Sequence, residues 1–218
     1  MTHSPHTIFC IGLAAHDFVF GLQTMPATAS KHSARSFAES GGGGAATFAV
    51  TIARLVGQAC LLTRLGDDTV GDAIVKELVH KGVDCSALKR YAGCRSSVSS
   101  VLVDAASERM IINYRDQSLP TDPTWMPEPD DPRQVVLVDS RWPDGSLHML
   151  RLARAKGCVA LLDGDLPGVS KEEMEAATVI AFSKEGLAAS IACEGMEAGL
   201  RAVAQLTDAT LIVTDGSN

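Results

Sequence analysis

Three kinds of residue in this sequence suit chemistry on a small polar molecule. The first is an acid: Asp17, in GLAAHD, follows the first apolar run. A carboxylate at a strand end can accept two hydroxyl hydrogen bonds, as a sugar offers them, or it can serve a turn. The second is the glycine run at 41–44, ahead of a helical stretch. Glycine lets backbone approach a ligand closely, and a helix N-terminus presents free N–H groups. No Gly-Lys-Ser/Thr follows and the spacing is not G-x-G-x-x-G, so the run is neither a P-loop nor a dinucleotide fingerprint. The third is Arg141, directly after the apolar run at 135–139. Its planar fork suits an anion, or an ion pair with a neighbouring Asp.

Other residues are ambiguous singly. Asp163 and Asp165, in LLDGDL, end another strand and could handle protons or bind Mg²⁺ indirectly; Asp165 could also start a turn. His16 adjoins Asp17, but adjacency is not triad geometry, and no Ser-His-Asp or Cys-His set emerges. No Cys pair or His falls at zinc-ligand spacing.

The elements that position these residues alternate. Short apolar runs at 7–13, 59–65, 135–139, 159–162, 179–182 and 211–214 read as buried strands. Helical spacing covers 45–56, 71–81, 146–156 and 196–206, with Gly57, Gly82 and Gly157 as stops for the first three. Strand–helix alternation of this kind predicts a mostly parallel sheet covered by helices on both faces. Two segments break the rhythm. Residues 18–40 hold no good helix, and 96–114 reads as an antiparallel hairpin. Together they predict a small separate β layer. Residues 121–133, with four prolines, read as a surface loop.

The chain has 218 residues, 46% hydrophobic, with a net charge of −7. That excludes a general attraction to nucleic acid or anionic membrane. The six cysteines read as reduced thiols, which with the lack of a signal peptide or spanning segment predicts a cytoplasmic protein.

Four stretches carry a family resemblance: GLAAHD, GGGGAATFAVTIARLVG, LLTRLGDDTVGDAIVKELVHKGVD and VTDG. Across the whole chain they resemble the ribokinase-like (PfkB) carbohydrate kinases. That resemblance implies a Rossmann-like α/β body with a β lid drawn from about 17–40 and 96–115. It implies ATP and Mg²⁺ as cofactors, a small-molecule sugar as substrate and a homodimer formed through the lid. Asp17, Gly42 and Gly43 would bind sugar hydroxyls. Ser183, Thr214 and Gly216 would contact the nucleotide. The stretches SKHSARSFAESGGG, ERMIINY, VDSRWPDG, LLDGDL and AFSKEGLA are similar to the sulfofructose kinases within this family. That closer likeness implies a sulfonate pocket of Lys31, Asn113 and Arg141, and phosphorylation of 6-deoxy-6-sulfofructose to its 1-phosphate. A kinase of fructose 6-phosphate or tagatose 6-phosphate, or a non-catalytic sugar-binding fragment, remain the alternatives.

The sequence departs from the family in three places. Thr47 stands where many members carry Asn. The N-x-x-E element that orders Mg²⁺ waters reads SKEG at 183–186. The G-A-G-D segment, with the catalytic Asp and the anion hole, does not occur in these residues. It is expected C-terminal to Asn218, so the C-terminal part of the fold is taken to be missing from the chain.

Overall fold

The computed structural model describes Ser4 and residues 6–216. Among the described residues eighteen elements follow one another. The first six are β1 (Ile8–Ile11), β2 (Ala15–Gly21), β3 (Ser36–Gly42), α1 (Gly44–Leu55), β4 (Ala59–Leu62) and β5 (Arg64–Gly66). Then come α2 (Thr69–His80), β6 (Lys89–Tyr91), β7 (Ser97–Val103), β8 (Arg109–Tyr114), β9 (Val135–Asp139) and α3 (Pro143–Ala155). The chain continues through β10 (Val159–Gly164), α4 (Lys171–Ala176), β11 (Val179–Ser183), α5 (Lys184–Ser190), α6 (Met196–Val203) and β12 (Thr210–Thr214). Asn218, the residue beyond which the catalytic Asp is expected, lies outside the described residues.

Six strands form one parallel sheet in the order β12-β11-β10-β9-β1-β4. Its two faces bury different side chains because successive residues of a strand point opposite ways. Phe9, Ile11, Cys60, Leu62, Val136 and Val138 pack with Met149 and Leu150 of α3. Cys10, Ala59 and Leu61 face the other way, against Ala45 and Ala49 of α1 and Ile74 and Leu78 of α2. This is the expected helix-covered sheet. All six cysteines are free thiols. Among the described residues no helix is long and apolar enough to cross a membrane.

The two segments that break the alternation join in a four-stranded mixed sheet, β3-β2-β7-β8. The expected hairpin is β7–β8, antiparallel from Val98↔Tyr114 to Val103↔Arg109. Two features differ from expectation. The predicted strand over 59–65 breaks at Thr63, whose hydroxyl donates to the Gly12 carbonyl at 2.7 Å. Beyond it β5 leaves the main sheet and pairs with β6. Asp17 is not at a main-sheet strand end either: it is the third residue of β2. The chain turns at Gly12 (φ 141) directly after β1 and enters the small sheet two residues before Asp17.

Candidate functional site

The carboxyl ends of the main strands meet the small sheet around β1 and α1. The join is organised by Asp139, the last residue of β9, which is buried. Its carboxylate accepts from the Leu13 and Ala45 amides through Oδ2 (2.9 and 2.8 Å) and from the Arg141 amide through Oδ1 (2.9 Å). Burial pushes this carboxyl up, and the three amides oppose the shift. One acid thus ties the β1–β2 turn, the α1 N-terminus and the Arg141 backbone together. Sequence reading passed over it. Its only sequence signal is an acid ending a β-branched run before Ser-Arg.

The glycine run is held from both ends. The Gly41 amide donates to Glu77 Oε1 of α2 at 3.0 Å, and Glu77 is paired with Lys81. Gly43 takes φ 90, where a Cβ would stand 2.3 Å from the Leu13 carbonyl oxygen. At Gly42 a Cβ would stand 2.3 Å from Asp17 Oδ2. Asp17 therefore faces the glycine turn. Its Oδ1 is buried without a hydrogen-bond partner. Such an atom costs free energy unless something else donates to it.

Arg141 follows β9, and its guanidinium reaches Asp165 at 3.2 Å. It borders a cavity of about 260 Å³ shared with Leu13, Thr63, Ser97 and Arg115. Neither Asp17, Lys31 nor Asn113 lines that cavity. Lys31 is exposed in the irregular stretch 22–35. Asn113 is exposed on β8, but register places it in one row with Ser99 and Asp17, so these three share a face of the small sheet. The Asp17–Asn113 separation is about 10 Å, two strand spacings. The structure thus brings Asp17 to Gly42 and into the row of Asn113, and Arg141 to a separate wall.

Ser183 and Thr214 are partners in the β11–β12 register, at the carboxyl ends of both strands. The Ser183 hydroxyl caps α5 by accepting from the Gly186 amide, and donates to Asp165 Oδ1 at 2.8 Å. Gly216 (φ 62) lies just beyond, with open space where its Cβ would be. These three lie at one edge of the sheet, at its carboxyl end. Asp165 therefore links Arg141 to Ser183. Burial pushes Asp165 up, but the Leu166 amide, Ser183 and Arg141 together hold it below the usual carboxylate range.

Asp163 is shifted the opposite way, to about 6, by burial first and then by Asp165 and Asp139, with Arg141 opposing. A folded-state pKa above the unfolded value favours the protonated, folded form. This contribution is full below about pH 4 and is lost as pH rises through about 6. The rise from 3.8 to about 6 corresponds to roughly 3 kcal/mol, and screening at this partly exposed group reduces it to roughly 1–2 kcal/mol. Asp163→Asn is therefore expected to stabilise the protein by that amount at pH 8 and not at pH 4, in urea melts at both pH values. Equal shifts at the two would contradict the assignment.

Three solved structures superpose on this architecture. A candidate ribokinase from Agrobacterium tumefaciens superposes with a TM-score of 0.84 at 30% identity, over 97% of this chain and 70% of that one. A fructokinase from Xylella fastidiosa superposes at 0.75 with 23% identity, over 99% and 71%, and a ribokinase from Arabidopsis thaliana complexed with ribose and ATP at 0.73 with 19% identity, over 92% and 68%. The last two likenesses speak to fold alone. The fold is the ribokinase-like α/β fold with a small mixed sheet. Residues 5–218 match the pfkB family of carbohydrate kinases, and the chain belongs to that family. Fructokinase-1 of Oryza sativa is 35% identical over 85 residues, 39% of this chain, and the match spans only about a quarter (26%) of that relative.

Proposed function

We propose that this protein is a sugar kinase that transfers a phosphoryl group from ATP to a ketose, 6-deoxy-6-sulfofructose, at its C1 hydroxyl. The observation that carries the reading is the Asp17 carboxylate set against Gly42 with a buried, unpartnered oxygen. Sugar hydroxyls are donors suited to that oxygen, and a ligand that supplies them removes its desolvation cost. Family membership supports the phosphoryl-transfer chemistry. None of the residues described above is given the role of general base for that transfer. ATP would bind along Ser183, Thr214 and Gly216, with Mg²⁺ carried on its phosphates. The small sheet acts as a lid over the sugar. Phe37, Ile112 and Tyr114 are each more than half exposed on one face of it, an apolar surface that suits pairing with a second copy.

On this reading Lys31, Asn113 and Arg141 meet around the sulfonate when the lid lies over a bound sugar. One ammonium, one guanidinium and one amide suit a group that stays singly charged, whereas a phosphate is nearer −2. Arg141→Ala is expected to lower affinity for 6-deoxy-6-sulfofructose about 10- to 100-fold, since a charge-assisted hydrogen bond is worth roughly 1.5–3 kcal/mol. Affinity for fructose should change far less. Titration calorimetry with 6-deoxy-6-sulfofructose, fructose 6-phosphate and fructose tests both points. Tighter binding of fructose 6-phosphate than of the sulfonate would replace this substrate by a phosphorylated ketose, and equal losses for fructose would make Arg141 structural.

A further inference from the structure

The cavity beside Arg141 holds a second guanidinium that sequence reading did not single out. Arg115 follows β8 directly, two residues on from Asn113, at the spacing that places residues on one face of a strand. It lines the cavity with Arg64, Arg141, Asp116 and Asp144. Its Nε is buried and has no hydrogen-bond partner. Burial and then the positive charge of Arg141 both push its ionisation down, while Asp139 opposes them. Two guanidiniums turned on one space, one of them unpartnered, are unfavourable without an anion between them.

The other charges around the cavity are already engaged. Arg64 donates to the Leu119 and Pro120 carbonyls and lies over the Trp142 ring, 4.4 Å from its centroid. The Asp116 carboxylate is taken up by Ser118 and the Arg95 amide. Arg141 is neutralised by Asp165. Asp144, in the first turn of α3, faces Arg64 electrostatically. What remains is one guanidinium without a hydrogen-bond partner, Arg115, next to one paired with Asp165.

We propose that Arg115, with Arg141, forms the site for a singly charged oxyanion, and that Arg115 is a specificity-determining residue for an acidic sugar. The identification of the anion as the sugar's sulfonate rests on the function proposed above; the anion site itself does not. A single unpartnered guanidinium matches a sulfonate better than a doubly charged phosphate. The guanidinium fork supplies parallel N–H donors to two oxygens of such a group. Arg115 delivers them from the position just after the strand that carries Asn113.

The test is Arg115→Gln, read by titration calorimetry with four probes: 6-deoxy-6-sulfofructose, fructose, ATP and 2-hydroxyethanesulfonate. The expected result is a loss of about tenfold or more for the two sulfonates, with fructose and ATP unchanged. Arg115→Lys, which keeps the charge and loses the fork, should fall between wild type and Arg115→Gln; it also serves if the Gln variant does not fold. Unchanged sulfonate affinity overturns the proposal, and so does an equal loss for fructose. A loss confined to ATP also overturns it, because the anion would then belong to the nucleotide. If wild type binds the small sulfonate through Arg115 but no sulfonated sugar, the anion site stands and the substrate reading fails. If wild type binds neither sulfonate, both fail.

Discussion

Asp17→Ala is expected to weaken sugar binding by about 100-fold or more while leaving ATP affinity unchanged. A carboxylate that accepts two hydroxyls makes two charge-assisted hydrogen bonds, each worth roughly 1.5–3 kcal/mol. The local geometry makes this a binding effect and not a folding effect. Asp17 Oδ1 has no partner within the protein, so its removal leaves no protein donor unsatisfied. Deleting a buried oxygen that nothing satisfies is expected to leave stability unchanged or slightly raised. ATP is expected to bind at the β11–β12 end, away from the small sheet. Calorimetry with sugar and with ATP, alongside a urea melt, separates the cases. A variant that binds sugar like wild type would remove Asp17 from the site, and one that loses both ligands and stability would make it structural.

The body of the fold was legible because its signals are local. The strand at Val135–Asp139 is β-branched and apolar, and it forms over that span. Gly57, Gly82 and Gly157 take φ of 76, 83 and 72, the left-handed values that end a helix. The hairpin followed from period-two alternation joined by a polar loop. What stayed hidden depends on distant partners. Nothing near Ala15–Gly21 states that it will pair in parallel with Ser97–Val103, so Asp17 looked like the end of the first strand and not the interior of another. The break at Thr63 follows from a hydrogen bond across 51 residues. The short helix Lys171–Ala176 was overlooked although its capping box, Ser170 with Glu173, is a readable signature. In the site, the residue types were legible and their grouping was not. Arg141 was visible as a strand-end arginine, but Arg115 gains its meaning only from the burial that sets it facing Arg141.

The adjacent glycines of the turn should fail in different ways when given a methyl group. At Gly43 the backbone takes φ 90 and ψ 139, a region that side-chain-bearing residues avoid at a cost of about 1–3 kcal/mol. The new Cβ would also stand 2.3 Å from the Leu13 carbonyl oxygen and 2.7 Å from its carbon. Backbone meets backbone there, so neither side can turn away, and overpacking adds a further cost of about 1–3 kcal/mol. Gly43→Ala is therefore expected to lose about 2–6 kcal/mol of stability, a large share of what a domain has. Gly42 is different. Its φ is outside the left-handed region, and the atoms its Cβ would meet, at 2.3 and 2.5 Å, belong to the Asp17 carboxyl group. That side chain can rotate, which spares the fold but removes the carboxylate from the place where it receives hydroxyls. Gly42→Ala should thus unfold at nearly the wild-type urea concentration and show most of the sugar-affinity loss of Asp17→Ala. Affinity losses should not add in the double variant, because the two substitutions disable one group. Full additivity, or a Gly43→Ala protein as stable as wild type, would show that the turn does not hold Asp17 against the ligand in the way its geometry indicates.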